Sequence, residues 1–234
     1  MDIQDSLKVL LTGAGFSFFG IAFAQILTLV SEILFARILG PGDYGKVGLA
    51  ISISVSLAMI AALGMPQGVA RMWRDSESEK ERQSLLLSSY LIVGGVSSAV
   101  ILLFWTIPHE ISATINSPSL APLLPPFSIY IVSFSLSLVT VGALRGMKKP
   151  GLAVASRGVL PKSFGLMVFM LFVLQNSGYI GAIWFWISTG VVSLFVSVSF
   201  VRISTGWRTT NIFNAGIGKM SELWSFSWPV AIES

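Results

Sequence analysis

Long apolar stretches separated by short polar segments run through most of the chain. A helix needs about 20 mostly apolar residues to cross a ~30 Å hydrocarbon core, because each residue advances it by about 1.5 Å. The pattern therefore predicts an all-α integral membrane protein with one six-helix lobe over residues 1–202. We number the predicted transmembrane helices spans 1 to 6, at about 9–35, 47–70, 85–107, 123–143, 151–174 and 179–201.

Two boundaries in this pattern depend on turn-forming residues. The stretch 163–201 carries no charge and is too long for one helix, so we end span 5 at the polar run Gln175-Asn176-Ser177-Gly178. The segment 116–126 contains four prolines and is poor helix, so we begin span 4 close to its end.

The last 32 residues are harder to assign. Residues 203–222 are predicted to be a cytoplasmic or interfacial linker, either an amphipathic helix lying in the membrane interface or a lead-in to another span. Residues 223–234 read as the start of a truncated seventh span. We therefore expect the chain to be the N-terminal part of a longer protein, or one product of a split gene.

Composition supports this class and excludes several others. Hydrophobic residues make up 53% of the chain and charged residues 11%, against roughly 25% charged in soluble domains. A soluble enzyme, a disordered chain and a nucleic-acid-binding domain are excluded. The pattern does not favour a β-barrel, because the apolar stretches are long and continuous instead of short and alternating. The absence of cysteine excludes disulfides and thiolate metal sites.

The positive charges predict an orientation. Eleven of the 15 Lys and Arg residues lie on the side of the N-terminus, two lie on the opposite side, and two fall inside span 5. Because Lys and Arg are enriched in cytoplasmic loops, the N-terminus is predicted to be cytoplasmic in a multi-pass protein of the cell (plasma) membrane.

Residues that would support an enzyme are missing from the pattern. The single histidine, His109, lies beside Glu110 in a predicted loop, where a solvated side chain is the usual finding. No phosphate-binding glycine loop and no activated nucleophile is recognisable. We therefore predict that the chain is not an enzyme, needs no cofactor and binds no metal.

Four polar side chains at membrane depth are the candidates for ligand contact: Arg157, Lys162, Glu32 and Gln25. Such residues are costly in lipid and usually face a polar interior. Arg157 could instead extend to the interface, Glu32 could reach the interface or pair with a cation, and Gln25 could bridge helices. Arg157 and Lys162 are about 140° apart on an ideal helix, but they could still flank one cavity. Cations in such a cavity suit an anionic substrate such as a lipid diphosphate.

The segment 36–45, Ala-Arg-Ile-Leu-Gly-Pro-Gly-Asp-Tyr-Gly, predicts a tight hairpin between spans 1 and 2. Gly40 suits the positive-φ position after a helix, and Pro41 stops that helix. Asp43 can cap the next helix, and Arg37 in the last turn complements the helix dipole. These considerations alone indicate a structural loop.

The same segment resembles the polysaccharide biosynthesis, or oligosaccharide flippase, family of the multidrug/oligosaccharidyl-lipid/polysaccharide exporter superfamily. Residues 62–71, 143–150 and 226–229 are similar to further segments of that family. The matched motif positions are Arg37, Gly40, Pro41, Asp43, Tyr44, Gly45, Gly64 and Arg71.

The resemblance implies two six-helix lobes around a central cavity, working by alternating access. It implies a flippase or exporter that moves lipid-linked oligosaccharide or polysaccharide precursor from the cytoplasmic to the outer leaflet. The implied partners are that anionic lipid, membrane lipids and a second lobe, which is a C-terminal half or a second copy. The alternatives are a multidrug-type exporter of the same superfamily and a non-transporting membrane scaffold for glycan assembly.

Overall fold

A computed structural model describes residues 3–206 of the chain, with side chains from residue 18 onward. This part is helical and contains no β-strand, which confirms the predicted all-α class. The predicted linker beyond Gly206 and the seventh-span start at 223–234 lie outside the described residues. The elements are α1 (Ile3–Ala62), α2 (Met65–Asp75), α3 (Glu79–Thr106), α4 (Pro108–Thr114), a 3₁₀ turn (Pro118–Leu120), α5 (Leu124–Gly146), α6 (Pro150–Val154), a π-helical segment (Ala155–Val159), α7 (Leu160–Leu174) and α8 (Gly178–Thr205).

Five helical stretches of the described part are long and apolar enough to cross a membrane. The first, Phe18–Asp75, has 58 residues and would extend roughly 87 Å as one straight helix, almost three times the hydrocarbon thickness. Gly40 interrupts it with φ 72° and ψ 171°, a conformation that essentially only glycine adopts, and Pro41 follows. We therefore count two crossings in this stretch, one on each side of Gly40.

The end of the second crossing differs from the predicted boundary at residue 70. The helix ends at Ala62, Leu63 and Gly64 take positive φ, and α2 then carries the chain as far as Asp75. Pro66 at the start of α2 explains the break, because a proline cannot donate the backbone hydrogen bond that would continue the preceding helix. The other observed helices extend the predicted spans by a few residues.

Helix α5 lies at the centre of the bundle, with most of its side chains buried. It packs against α8, α2, α3 and α1, and glycines allow the closest of these contacts. A Cβ atom on Gly146 would lie 2.7 Å from the Cβ of Trp73 on α2. Small residues at such crossings are the usual device for close packing of membrane helices.

The polar connections lie at two opposite ends of the bundle. One end, which we name the basic end, holds residues 71–82, 145–150 and 202–206, including eight lysines and arginines of the described chain. The other, the hairpin end, holds the turn at Gly40 and the start of α8, where a Cβ on Gly178 would contact Ile38. Two cations, Arg37 and Lys46, lie at the hairpin end.

Candidate functional site

A cavity of about 480 Å³ lies between α1, α5, the continuous helix 150–174 and α8. Among the described residues that line it, three are cations and none is an acid. Its other polar lining residues include the Gln25 amide and the Thr189 hydroxyl. We name this space the cationic cavity; its charged and aromatic lining residues are Arg145, Arg157, Lys162, Tyr130, Phe134 and Trp186.

The π-helical segment aims two of these cations into the cavity. The Leu160 amide donates to the Ala155 carbonyl, five residues back, so this turn holds one residue more than an α-helical turn. Pro161 accounts for the change, because it has no N–H to donate and its ring would clash with the Arg157 carbonyl in a regular helix. The extra residue brings Lys162 closer to the face of Arg157 than the 140° of an ideal α-helix, and both side chains line the cavity.

The Arg157 guanidinium lies over an aromatic ring instead of beside a carboxylate. Its Cζ atom is 5.2 Å from the centre of the Phe134 ring. Phe134 in turn stacks on Tyr130, with ring centroids 5.2 Å apart. A cation over a ring face is attracted by the ring quadrupole, and this contact uses none of the guanidinium N–H groups. Within residues 18–206 these donors have no hydrogen-bond or ion-pair partner, so they are available to an anion.

Lys162 connects spans 1 and 5. Its Nζ donates a hydrogen bond to the Thr28 hydroxyl, which itself donates to the Ala24 carbonyl at 2.8 Å. The Thr28 oxygen is neutral, so this contact orients the ammonium without cancelling its charge. Lys162 makes no ion pair with any residue that the structure describes.

Three cations on the lining make the cavity electropositive. Arg157 lies close enough to both Arg145 and Lys162 for their charges to repel one another. Arg157 and Lys162 are also half-buried, which weakens their hydration. Because no acid lines the cavity in the part of the chain with described side chains, an anionic group entering it would relieve both costs.

Glu32 lies beside the cationic cavity and not on its lining. It lines a neighbouring hollow together with Gln25 and Thr28, and its Oε2 accepts a 2.7 Å hydrogen bond from the Tyr44 hydroxyl. Glu32 does interact electrostatically with Lys162, but its hydrogen-bond partner is a neutral phenol. Gln25 lines both spaces and is exposed, and its amide has no partner in the described part of the chain.

The hairpin motif at residues 36–45 forms the turn between spans 1 and 2. None of its residues lines the cationic cavity. The helix resumes at Pro41, so Gly40 occupies the capping position and the expected cap by Asp43 is wrong. Asp43 instead accepts a 2.8 Å ion-paired hydrogen bond from Lys46 in the first turn. Arg37 is exposed, and Gly45 has open space around it. Gly64 and Arg71 are also outside the cavity, at the start of α2 and on its exposed surface respectively.

Several cavity residues are not among the sequence-predicted candidates. In the sequence, Arg145 lies at the end of span 4 and indicates only the orientation of the chain in the membrane. In the structure it lines the cavity at the basic end. Tyr130 and Phe134 are four residues apart, and this aromatic pair on one face of span 4 is the signal that could have found them. Trp186 joins them across the cavity, and its indole N–H is buried without a hydrogen-bond partner in the described part.

These features define the class of protein as a membrane-embedded helical bundle with an electropositive cavity among its spans. Comparison with protein families then identifies the chain more closely. It belongs to the polysaccharide biosynthesis protein family, whose model matches residues 10–234. This membership supports a role in polysaccharide synthesis or export. No match was found among curated proteins or among solved structures.

Proposed function

We propose that this chain forms one lobe of a flippase or exporter. It would move lipid-linked oligosaccharide, or a polysaccharide precursor, from the cytoplasmic to the outer leaflet of the plasma membrane. The observation that carries the proposal is the cationic cavity, whose described lining residues include three cations and no acid. Membership of the polysaccharide biosynthesis family supports the glycan part of the substrate.

In this proposal the diphosphate of the lipid carrier binds in the cavity. Its oxygens are acceptors only, and Arg157 and Lys162 offer donors that carry positive charge. A volume of about 480 Å³ lies within the range of small-molecule sites, so the cavity suits the headgroup while the lipid tail stays in the bilayer. The bound anion would stabilise the conformation in which the cations are close together. Alternating access requires such a difference in substrate affinity between two conformations.

Orientation and partners belong to the same proposal. The basic end would face the cytoplasm, with the N-terminus on that side, since Lys and Arg are enriched in cytoplasmic loops. Arg145 lines the cavity and closes α5 at this end, so it would meet the headgroup first. A second lobe, a C-terminal half or a second copy, would complete the passage. We propose no catalytic step for the chain.

The multidrug alternative requires an acidic cavity for cationic cargo. Glu32 lies beside the cationic cavity but outside its lining and is hydrogen-bonded to Tyr44, so no observation favours that alternative. The scaffold alternative predicts glycan assembly without transport, and the experiment below separates it from the flippase proposal.

The test compares leaflet sidedness of lipid-linked oligosaccharide in a strain lacking the gene and in complemented strains. We expect accumulation in the inner leaflet on deletion and restored sidedness with the native gene. The double variant Arg157→Gln/Lys162→Gln should restore it at least 10-fold less well, since each charge-assisted contact contributes about 1.5–3 kcal/mol. Lys80→Gln, which removes an exposed cation away from the cavity, is the matched control and should restore sidedness fully.

Equal rescue by the double variant and the native gene would overturn the role of the cavity. Normal sidedness in the deletion strain, together with loss of a glycosyltransferase from the membrane complex, would instead support the scaffold alternative. Complementation by residues 1–234 alone, compared with the longest native reading frame, tests whether a second lobe must be supplied by another chain.

A further inference from the structure

A second basic pocket lies at the basic end of the bundle, apart from the cationic cavity. It has a volume of about 390 Å³ and is bounded by the end of α2, the start of α3, the α5–α6 connection and the end of α8. The two spaces share no lining residue. Five charged side chains line this second pocket: Arg74, Arg82, Lys148, Lys149 and Glu79.

These charges are not neutralised by one another. None of the four cations forms an ion pair within the described residues, and neither does Glu79. Arg74 bonds only the Ala70 carbonyl of its own helix, at 3.1 Å. Arg82 donates through Nη2 to the Ser76 carbonyl at 3.0 Å, while its Nε is buried and has no partner in the described part. The described lining therefore carries four cations and one acid, an excess of positive charge. The Nε–H of Arg82 is in addition a buried donor without a partner in the described part of the chain.

The loop before α3 holds Arg82 in position. Ser78 caps α3 by accepting from the Glu81 amide at 3.2 Å, and the Glu81 carboxylate accepts from the Glu77 amide at 3.1 Å. The Ser76 hydroxyl donates back to the Met72 carbonyl at 2.7 Å. Because these bonds fix the carbonyl that Arg82 contacts, the guanidinium is oriented before any ligand arrives.

The end of α5 determines where the two lysines of the pocket lie. Helix α5 ends with two capping bonds, from the Lys149 amide to the Leu144 carbonyl and from the Lys148 amide to the Arg145 carbonyl, both at 3.0 Å. This arrangement needs a left-handed residue, usually glycine, and Lys148 takes that place with φ 58°. Leu63, Asn116 and Asn176 also take positive φ, so this conformation by itself assigns no role to the lysine. It does place Lys148 and Lys149 together on the lining of the pocket.

We propose that this pocket binds the phosphate group of an anionic ligand, either a lipid headgroup or soluble phosphate, independently of the substrate cavity. Arg82 and Lys149 would donate to the phosphate oxygens, with Lys148 and Arg74 completing the positive field. Because the pocket lies at the ends of helices that are long and apolar enough to cross a membrane, we expect it at the depth of the phospholipid headgroups. Basic pockets between membrane helices at this depth are known to accept such headgroups.

The test uses the full chain in neutral detergent, with Arg157→Gln/Lys162→Gln in the background so that the cationic cavity does not contribute. Calorimetric titration with dioctanoyl phosphatidic acid, dioctanoyl phosphatidylcholine and inorganic phosphate measures the affinities. We expect phosphatidic acid, inorganic phosphate or both to bind. Lys149→Gln and Arg82→Gln should each weaken binding about 10-fold or more. Lys80→Gln, which changes an exposed cation between Glu79 and Arg82 that is not on the pocket lining, should leave binding unchanged.

Competition between the two probes identifies the source of the phosphate. Displacement of the lipid by millimolar inorganic phosphate means that the phosphate group itself is recognised, lipid binding without displacement means a lipid site, and phosphate binding alone means a soluble ligand. Lys148→Gly should weaken binding while raising the melting temperature, since it removes a charge and relieves a strained backbone. Three results would overturn the proposal: no binding of either anion, equal binding of phosphatidylcholine, or unchanged binding by the Arg82→Gln/Lys149→Gln variant. Because Lys149 is exposed, its variant decides the matter if Arg82→Gln fails to fold.

Discussion

Gly40 and Gly42 stand two residues apart in the hairpin, and alanine should affect them in opposite directions. Gly40 has φ 72° and ψ 171°, whereas Gly42 lies in the regular helix that resumes after the turn. A Cβ atom built on either glycine meets no atom within 4 Å. Steric clash with neighbours is therefore absent at both positions, and the difference between them comes from the backbone alone.

The expected magnitudes follow from these conformations. Alanine at Gly40 should cost about 1–3 kcal/mol, because an L residue is strained in this region of φ and ψ. Alanine at Gly42 should add about 0.5–1 kcal/mol of stability, since glycine in a helix loses more backbone entropy on folding. The two variants should therefore differ by about 1.5–4 kcal/mol in free energy of unfolding.

The assay is unfolding of residues 1–234 in mixed micelles with increasing dodecyl sulfate, followed by circular dichroism. Gly45→Ala is a second control, because Gly45 is also surrounded by open space at regular φ. Gly40→Ala with stability equal to or above that of Gly42→Ala would refute the reasoning. Equal losses in all three variants would mean that methyl exposure at the interface, and not backbone strain, governs this turn.

Three further predictions concern the packing of span 1. Thr28→Val should lower the free energy of unfolding by about 1.5–3 kcal/mol because it removes the acceptor of the Lys162 ammonium, and Thr28→Ser should restore it. Gly158→Ala should cost about 1–3 kcal/mol, because the new Cβ would lie 2.8 Å from the Ala24 Cβ, and Ala24→Gly should rescue it in the same denaturation assay. Tyr44→Phe should lower the free energy of unfolding by about 1–3 kcal/mol, because it removes the hydroxyl that donates a hydrogen bond to the Glu32 carboxylate. In a Glu32→Gln background, Tyr44→Phe should cause no further loss.

The layout of the bundle could be predicted from the chain because one physical requirement dominates it. Residues in the bilayer must satisfy their backbone groups internally and present apolar side chains, so spans are visible as uninterrupted apolar stretches. The turn at Gly40 was also predictable, since a glycine followed by a proline is a strong local signal. The helix break at Leu63 was missed although Gly64 and Pro66 give a similar local signal, because the end of span 2 was placed by hydropathy, which does not distinguish span 2 from α2.

The candidate site was only partly predictable, for reasons that lie in the tertiary structure. Arg157 and Lys162 stand out because charges inside an apolar stretch are rare. Arg145 does not stand out, since a cation at a span end also serves topology, and only packing of α5 against the helix 150–174 turns it toward the cavity. Phe134 looks like any core aromatic until the position of Arg157 above its ring is known.

The π-helical segment sets the rotation of one half of span 5 relative to the other. Ala155–Val159 takes up one residue more than an α-helical turn, so the helix after it keeps the direction that a helix one residue shorter would have. Because Pro161 maintains this turn, replacing it by alanine would let the helix return to α-helical geometry and rotate its two halves by about 100° against each other. Relatives without a proline at this position would accordingly present their charges to different neighbours, a route by which substrate preference could change without any substitution on the cavity lining.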